Sequence, residues 1–183
     1  MILLYKQLES YMSFKLGSIN NRAVLLSEDE YFDLETISKH KLSNKTSDAL
    51  LNIDLLNHLN ENLNDLEATG NLEGVVFDSP VSEPKNCYAV GLNYRNHAEE
   101  AGMQIPEVPM IFTKHTSCLV GANADIEMRS NYVDYEAELV VVIGKKGKDI
   151  SKQDAWNYVV GVCVGQDISD RPTQFAATPA QFN

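Results

Sequence analysis

The run Asp134-Tyr135-Glu136-Ala137-Glu138-Leu139-Val140-Val141-Val142-Ile143-Gly144 sets two carboxylates two positions apart at the head of an apolar stretch. Side chains alternate along a strand, so Glu136, Glu138, Val140 and Val142 share one face, and Tyr135, Ala137, Leu139, Val141 and Ile143 share the other. Apolar residues on both faces predict a strand covered on both sides. Two carboxylates entering such an interior repel each other and lose hydration. Protonation, hydrogen-bonded cationic partners or a metal ion relieves that cost. A hard divalent cation with oxygen ligands satisfies both carboxylates at once. The alternative is that Glu136 and Glu138 stand at a solvated strand end, before burial begins.

Two further constellations carry chemistry. In Tyr94-Arg95-Asn96-His97-Ala98-Glu99-Glu100, His97 and Glu100 are three apart and so neighbours on one helical face. A carboxylate beside an imidazole orients it and raises its pKa, as a general base acting on water requires. The alternative is an ordinary surface pair on a solvated helix. In Asp167-Ile168-Ser169-Asp170-Arg171-Pro172-Thr173-Gln174, Asp167 follows an apolar strand, where ligand-binding acids are common. Arg171 and Gln174 are suited to hold a carboxylate and a carbonyl of a substrate, the Arg by bidentate hydrogen bonds. Here the alternative is a plain loop with a capping Asp. Three oxygen ligands from two strands would leave positions on Mg²⁺ for water and substrate.

The elements that must position these groups change character near residue 80. Before it, residues 14–16 and 22–26 read as strands around a turn at 17–21. Residues 48–67 read as one helix with Leu56, Leu59, Leu63 and Leu66 on its apolar face, Ser47 or Asp48 as its cap and Gly70 past its end. The Pro-punctuated stretch 78–84 divides a small domain, 1–80, from a second, 84–183. In the second, strands are expected at 87–91, 110–113, 125–128 and along the carboxylate run, with a helix at 93–101. A capping box at Ser151 and Asp154 predicts a helix through Tyr158, and residues 159–166 form the strand that delivers Asp167.

Composition bounds the function. With 44% hydrophobic and 22% charged residues, the 183-residue chain is of globular type. Its net charge of -11 and lack of a basic stripe argue against a nucleic-acid partner. The longest apolar runs are too short to span a bilayer. Cys87, Cys118 and Cys163 are scattered and odd in number, which points to free thiols in a reducing cytoplasm rather than disulfides or a zinc site.

Taken together, Tyr88-Ala89-Val90-Gly91-Leu92-Asn93-Tyr94-Arg95-Asn96-His97, Pro109-Met110-Ile111-Phe112-Thr113-Lys114, Asp134-Tyr135-Glu136-Ala137-Glu138-Leu139, Val142-Ile143-Gly144-Lys145 and Gln166-Asp167-Ile168-Ser169-Asp170-Arg171 resemble the fumarylacetoacetate hydrolase family, in the branch acting on acylpyruvates. The resemblance implies an α+β fold, a mixed β-sandwich roll preceded by a small N-terminal α+β domain. It implies Mg²⁺ or Mn²⁺ held by Glu136, Glu138 and Asp167. His97 and Glu100 would activate water, and Arg171, Gln174 and Lys114 would contact a 2,4-dioxo acid. The implied reaction is hydrolysis of a C–C bond through a metal-stabilised enolate. Decarboxylation or isomerisation of a 2-oxo acid at the same site is the alternative, and a non-catalytic remnant is another. The family continues beyond the point matching Asn183, with a Lys and a Thr-Gly segment, so the chain is expected to match an incomplete roll. The full-length form is expected to be a homodimer.

Overall fold

Asn20 and Asn21 both take positive φ, 51° and 59°, and close a two-residue hairpin in which Ile19 pairs with Arg22. That is the backbone of a primed turn, whose twist matches the flanking strands and which Asn tolerates. The turn is therefore shorter, and its strands longer, than the spacing of apolar residues suggests. The computed structural model describes residues 2–3, 14–100 and 102–177. Two compact units result. One comprises 1–82, 120–127 and 135–168, and the other 83–119, 128–134 and 169–183. The chain changes unit inside the Pro-rich stretch expected to be the boundary. It then returns, so the units are not the consecutive segments 1–80 and 84–183.

Among the described residues the first unit holds a sheet of seven strands, β1 (Ile2–Leu3), β2 (Lys15–Ile19), β3 (Arg22–Ser27), β4 (Glu30–Asp33), β5 (Gly70–Asn71), β9 (Ala137–Ile143) and β10 (Val159–Gln166). Their order is β5-β4-β3-β2-β1-β10-β9, antiparallel at every pairing. Short helices α1 (Leu34–Ile37), α2 (Thr46–Ala49) and α3 (Ile53–Glu61) accompany it. Leu16, Ala23, Leu25 and Phe32 pack with Leu34, Leu50, Leu56, Leu59 and Leu63 in the main core. Ile19, Val24 and Leu26 are buried in a second cluster with Tyr31, Leu72, Val75 and Phe77. Leu16, Leu25, Leu34 and Leu56 are fully buried. Each contributes about 1.5–3 kcal/mol relative to exposure.

The single helix expected at 48–67 is instead α2, α3 and a 3₁₀ turn at Leu63–Asp65. Asn52 breaks it, because its side chain accepts from Leu55 N–H and caps a new helix start. That competition with the backbone is why Asn is poor inside helices and good at their ends. The strand expected at 125–128 does not form, and Ile126 and Met128 are exposed. The Ser151–Asp154 box does form, with Asp154 N–H donating to Ser151 Oγ and the hydroxyl to Asp154 Oδ2, but only a 3₁₀ turn, Ala155–Tyr158, follows.

The second unit has two small antiparallel sheets. One pairs β6 (Cys87–Gly91) with β7 (Met110–Lys114), and the other pairs β8 (Val133–Asp134) with β11 (Ser169–Asp170). Helix α4 (Arg95–Glu100) buries Ala98 and is followed by Gly102 at φ 65°, a left-handed stop suited to glycine. Helix α5 (Arg171–Gln174) starts at Asp170, whose side chain accepts from Thr173 N–H, with Pro172 in the first turn. No helix among the described residues is long and apolar enough to cross a membrane.

Candidate functional site

Strands β9 and β10 pair with Ala137 opposite Gln166 and Glu138 opposite Gly165. One step further along the ladder, Asp167 N–H donates to Glu136 O at 2.8 Å. Residues opposite each other in an antiparallel pair point to the same face, and their Cβ atoms are close. Glu136, Glu138 and Asp167 therefore share one face, together with Val140, Val142 and Cys163. All three acids are half-buried. Farther along that face, Val142 and Cys163 pack against the main hydrophobic core, so the acids stand where the face leaves the core. Burial pushes the Cys163 thiol up from its usual pKa, which leaves an inert packing group beside them.

The opposite face of these strands departs from expectation. Leu139, Ile143 and Val164 are 59%, 61% and 81% exposed. Apolar alternation predicted a cover on both sides. In the structure β9 is the sheet edge and nothing among the described residues covers that face.

The donor chemistry fits a hard divalent cation, with three carboxylates on one face and Gly165 leaving the space beside Glu138 without a side chain. Among the described residues, no three His, Cys, Asp or Glu side chains gather closely enough to hold an ion. The backbone places the donors on one face, and their oxygen atoms do not converge on one point.

In the second unit, Arg171 is held through all three guanidinium nitrogens by two partners. Its Nε and Nη2 donate to Asp134 Oδ2 at 3.1 and 2.8 Å, and its Nη1 donates to Gln174 Oε1 at 2.9 Å. The structure thus joins Arg171 to Gln174, as their spacing on one helix turn allows, and adds Asp134. Local pattern could not find that partner, since 37 positions separate Asp134 from Arg171. His97 and Glu100 lie on α4, both exposed, with no hydrogen bond or ion pair between them. Lys114 ends β7 with its ammonium 5.4 Å from the Phe112 ring centre, on the same face of the strand.

Residues 86–183 match the family model described as fumarylacetoacetate (FAA) hydrolase C-terminal, just over half of the chain. The chain belongs to the fumarylacetoacetate hydrolase family. A fumarylacetoacetate hydrolase domain-containing protein 2 homolog of Dictyostelium discoideum is 42% identical over 113 residues, 61% of this chain and 37% of that protein. The mitochondrial oxaloacetate tautomerase FAHD2A of Homo sapiens is 40% identical over 110 residues, 59% of this chain and 35% of its own length. The chain spans roughly a third of the curated relatives it matches. Among solved structures, a putative HpcE protein from Mycobacterium smegmatis superposes with TM-score 0.79 at 34% identity, over 91% of this chain and 59% of that one. The fold is also that of a maleylpyruvate hydrolase from Sphingobium, solved with manganese(II) and pyruvate, at TM-score 0.67 and 20% identity over 84% of this chain and 58% of that one. The α+β architecture is thus that of the fumarylacetoacetate hydrolase fold.

Proposed function

We propose that the chain carries the metal-binding and substrate-gripping part of a divalent-metal-dependent enzyme that interconverts keto and enol forms of a 2-oxo acid, with oxaloacetate as the leading substrate. The observation that carries this reading is the single face shared by Glu136, Glu138 and Asp167. Support for the reaction type comes from relatives named oxaloacetate tautomerases, 40% identical over 106 and 110 residues of this chain.

Glu136, Glu138 and Asp167 would hold Mg²⁺ or Mn²⁺, which when bound polarises the carbonyl of a 2-oxo acid and acidifies the adjacent C–H. The chain's own residues do the rest. Arg171, its plane fixed by hydrogen bonds, grips the substrate carboxylate, and Gln174 presents an amide beside it. An imidazole nitrogen of His97 takes the proton from C3 and returns it to the enol oxygen, with Glu100 stabilising the charged ring. Lys114 adds a positive charge for a dicarboxylate.

A second reading, hydrolysis of a C–C bond in an acylpyruvate, is favoured by the exposure of His97 and Glu100, since bulk water reaches that pair. The two are separated by one comparison with Mn²⁺ present. Loss of enol absorbance of oxaloacetate above the uncatalysed rate supports tautomerisation, and release of pyruvate from an acylpyruvate supports hydrolysis. Neither rate exceeding the background would remove both readings.

A further inference from the structure

We propose that Asp134 is a positioning residue that sets the plane of the Arg171 guanidinium for a ligand carboxylate. The inference rests on the reading of Arg171 as the group that grips the 2-oxo acid, and goes beyond it by naming what aims that group. Asp134 lies on β8 opposite Ser169, which places it diagonally across the ladder from Arg171. One of its oxygens, Oδ2, receives both Nε and Nη2 of Arg171, while Gln174 takes Nη1. All three guanidinium nitrogens thus have a fixed acceptor, and acceptors on two sides of a planar group determine its orientation.

An ion pair that merely ties β8 to α5 would be the simpler reading, and exposed pairs contribute little to stability. Other bonds already tie the residues just before β8 to the start of α5 and the residue that caps it. Arg171 N–H donates to Tyr132 O at 3.3 Å, and Ser130 Oγ donates to Asp170 Oδ1 at 3.2 Å. The Arg171 side chain is 25% exposed and Asp134 49%, so the pair faces solvent on one side, where a ligand can approach. With Asp134 beside it, Arg171 carries little net attraction for anions at a distance. Recognition then depends on the match between a flat fork and a flat carboxylate, for which orientation is decisive.

The test is titration of oxalate, a flat dicarboxylate, into the full 183-residue chain with Mn²⁺ present, by calorimetry. Asp134→Asn should weaken oxalate about tenfold, the size expected for a lost charge-assisted contact. Asp134→Glu, which keeps the charge at a different reach, should recover part of the loss. Asp134→Asn added to Arg171→Gln should weaken binding no further, because the effect runs through Arg171. Equal affinity of Asp134→Asn and the parent, or the same tenfold loss in the Arg171→Gln background, would overturn the inference. A parent that binds oxalate as weakly as Arg171→Gln does would overturn the reading of Arg171 itself, a distinct result.

Discussion

Placing Val at position 165 would ask whether the spacing of the carboxylate face controls metal binding. Gly165 sits on β10 opposite Glu138, between Cys163 and Asp167 on that face. A Cβ there would stand 2.7 Å from Val140 Cγ2 and 3.9 Å from Glu138 Cβ. The first distance is about 0.7 Å inside ordinary contact, which begins at 3.4 Å. The strands cannot part to make room, because ladder hydrogen bonds hold them roughly 4.8 Å apart. Val140 is β-branched and stiff, so turning it off its rotamer costs about 0.5–1.5 kcal/mol. Gly165→Ala should therefore destabilise the chain by about 1 kcal/mol. Gly165→Val adds two methyl groups beside Glu138 and should cost about 2–3 kcal/mol, the range of overpacked sites. Urea unfolding followed by circular dichroism measures both. Calorimetry with Mn²⁺ should show affinity falling about tenfold or more for Val and less for Ala. If Gly165→Val unfolded at the parent's urea midpoint and bound Mn²⁺ equally well, the space beside Glu138 would not be confined as described.

Other expectations follow from separate parts of the molecule. Burial alone would raise the Asp33 carboxyl, but the Arg22 guanidinium, the Thr36 N–H and hydroxyl and the Arg22 charge outweigh it and hold it below the usual range. Its contribution is therefore complete above the unfolded value of about 3.9 and lost as pH falls through the lower folded value. Urea midpoints between pH 6 and 3 should fall more steeply for the parent than for Asp33→Asn, and parallel curves would contradict this. His97→Asn should lower turnover of a 2-oxo acid by about 10²-fold or more with little change in the urea midpoint, and an unchanged rate would remove His97 from the chemistry. The exposed face of Leu139, Ile143 and Val164, beside the open edge of β9, should drive concentration-dependent association. Light scattering should show that Leu139→Lys with Val164→Lys suppresses it; the same association in that variant would place the contact elsewhere.

How much of this was legible beforehand depended on how local the signal was. Strands β6, β7 and β10 and the presence of a first hairpin are readable, because alternation acts within a few residues, while the turn itself lies at Asn20-Asn21 rather than across 17–21. The break at Asn52 is not readable, since the leucine spacing on either side is that of one continuous helix and only cap geometry separates the pieces. Residues 125–128 alternate as a strand would but find no partner strand. Glu136 and Glu138 shared a face by their spacing alone. That Asp167 lies opposite Glu136 depends on antiparallel register, which no single segment contains. For the same reason the pairing of Asp134 with Arg171 is not readable from either segment alone. The bare outer face of β9 escaped because alternation reads the same whether or not a second layer covers it.

The most direct test is calorimetric titration of Mn²⁺ into the parent chain and into Glu138→Gln, with circular dichroism confirming equal folding. The substitution keeps the size of the side chain and removes one anionic oxygen donor from the shared face. A single site in the parent, weakened about tenfold or more in Glu138→Gln, is the result expected if Glu136, Glu138 and Asp167 form the metal centre. Equal Mn²⁺ affinity in the two proteins would contradict it.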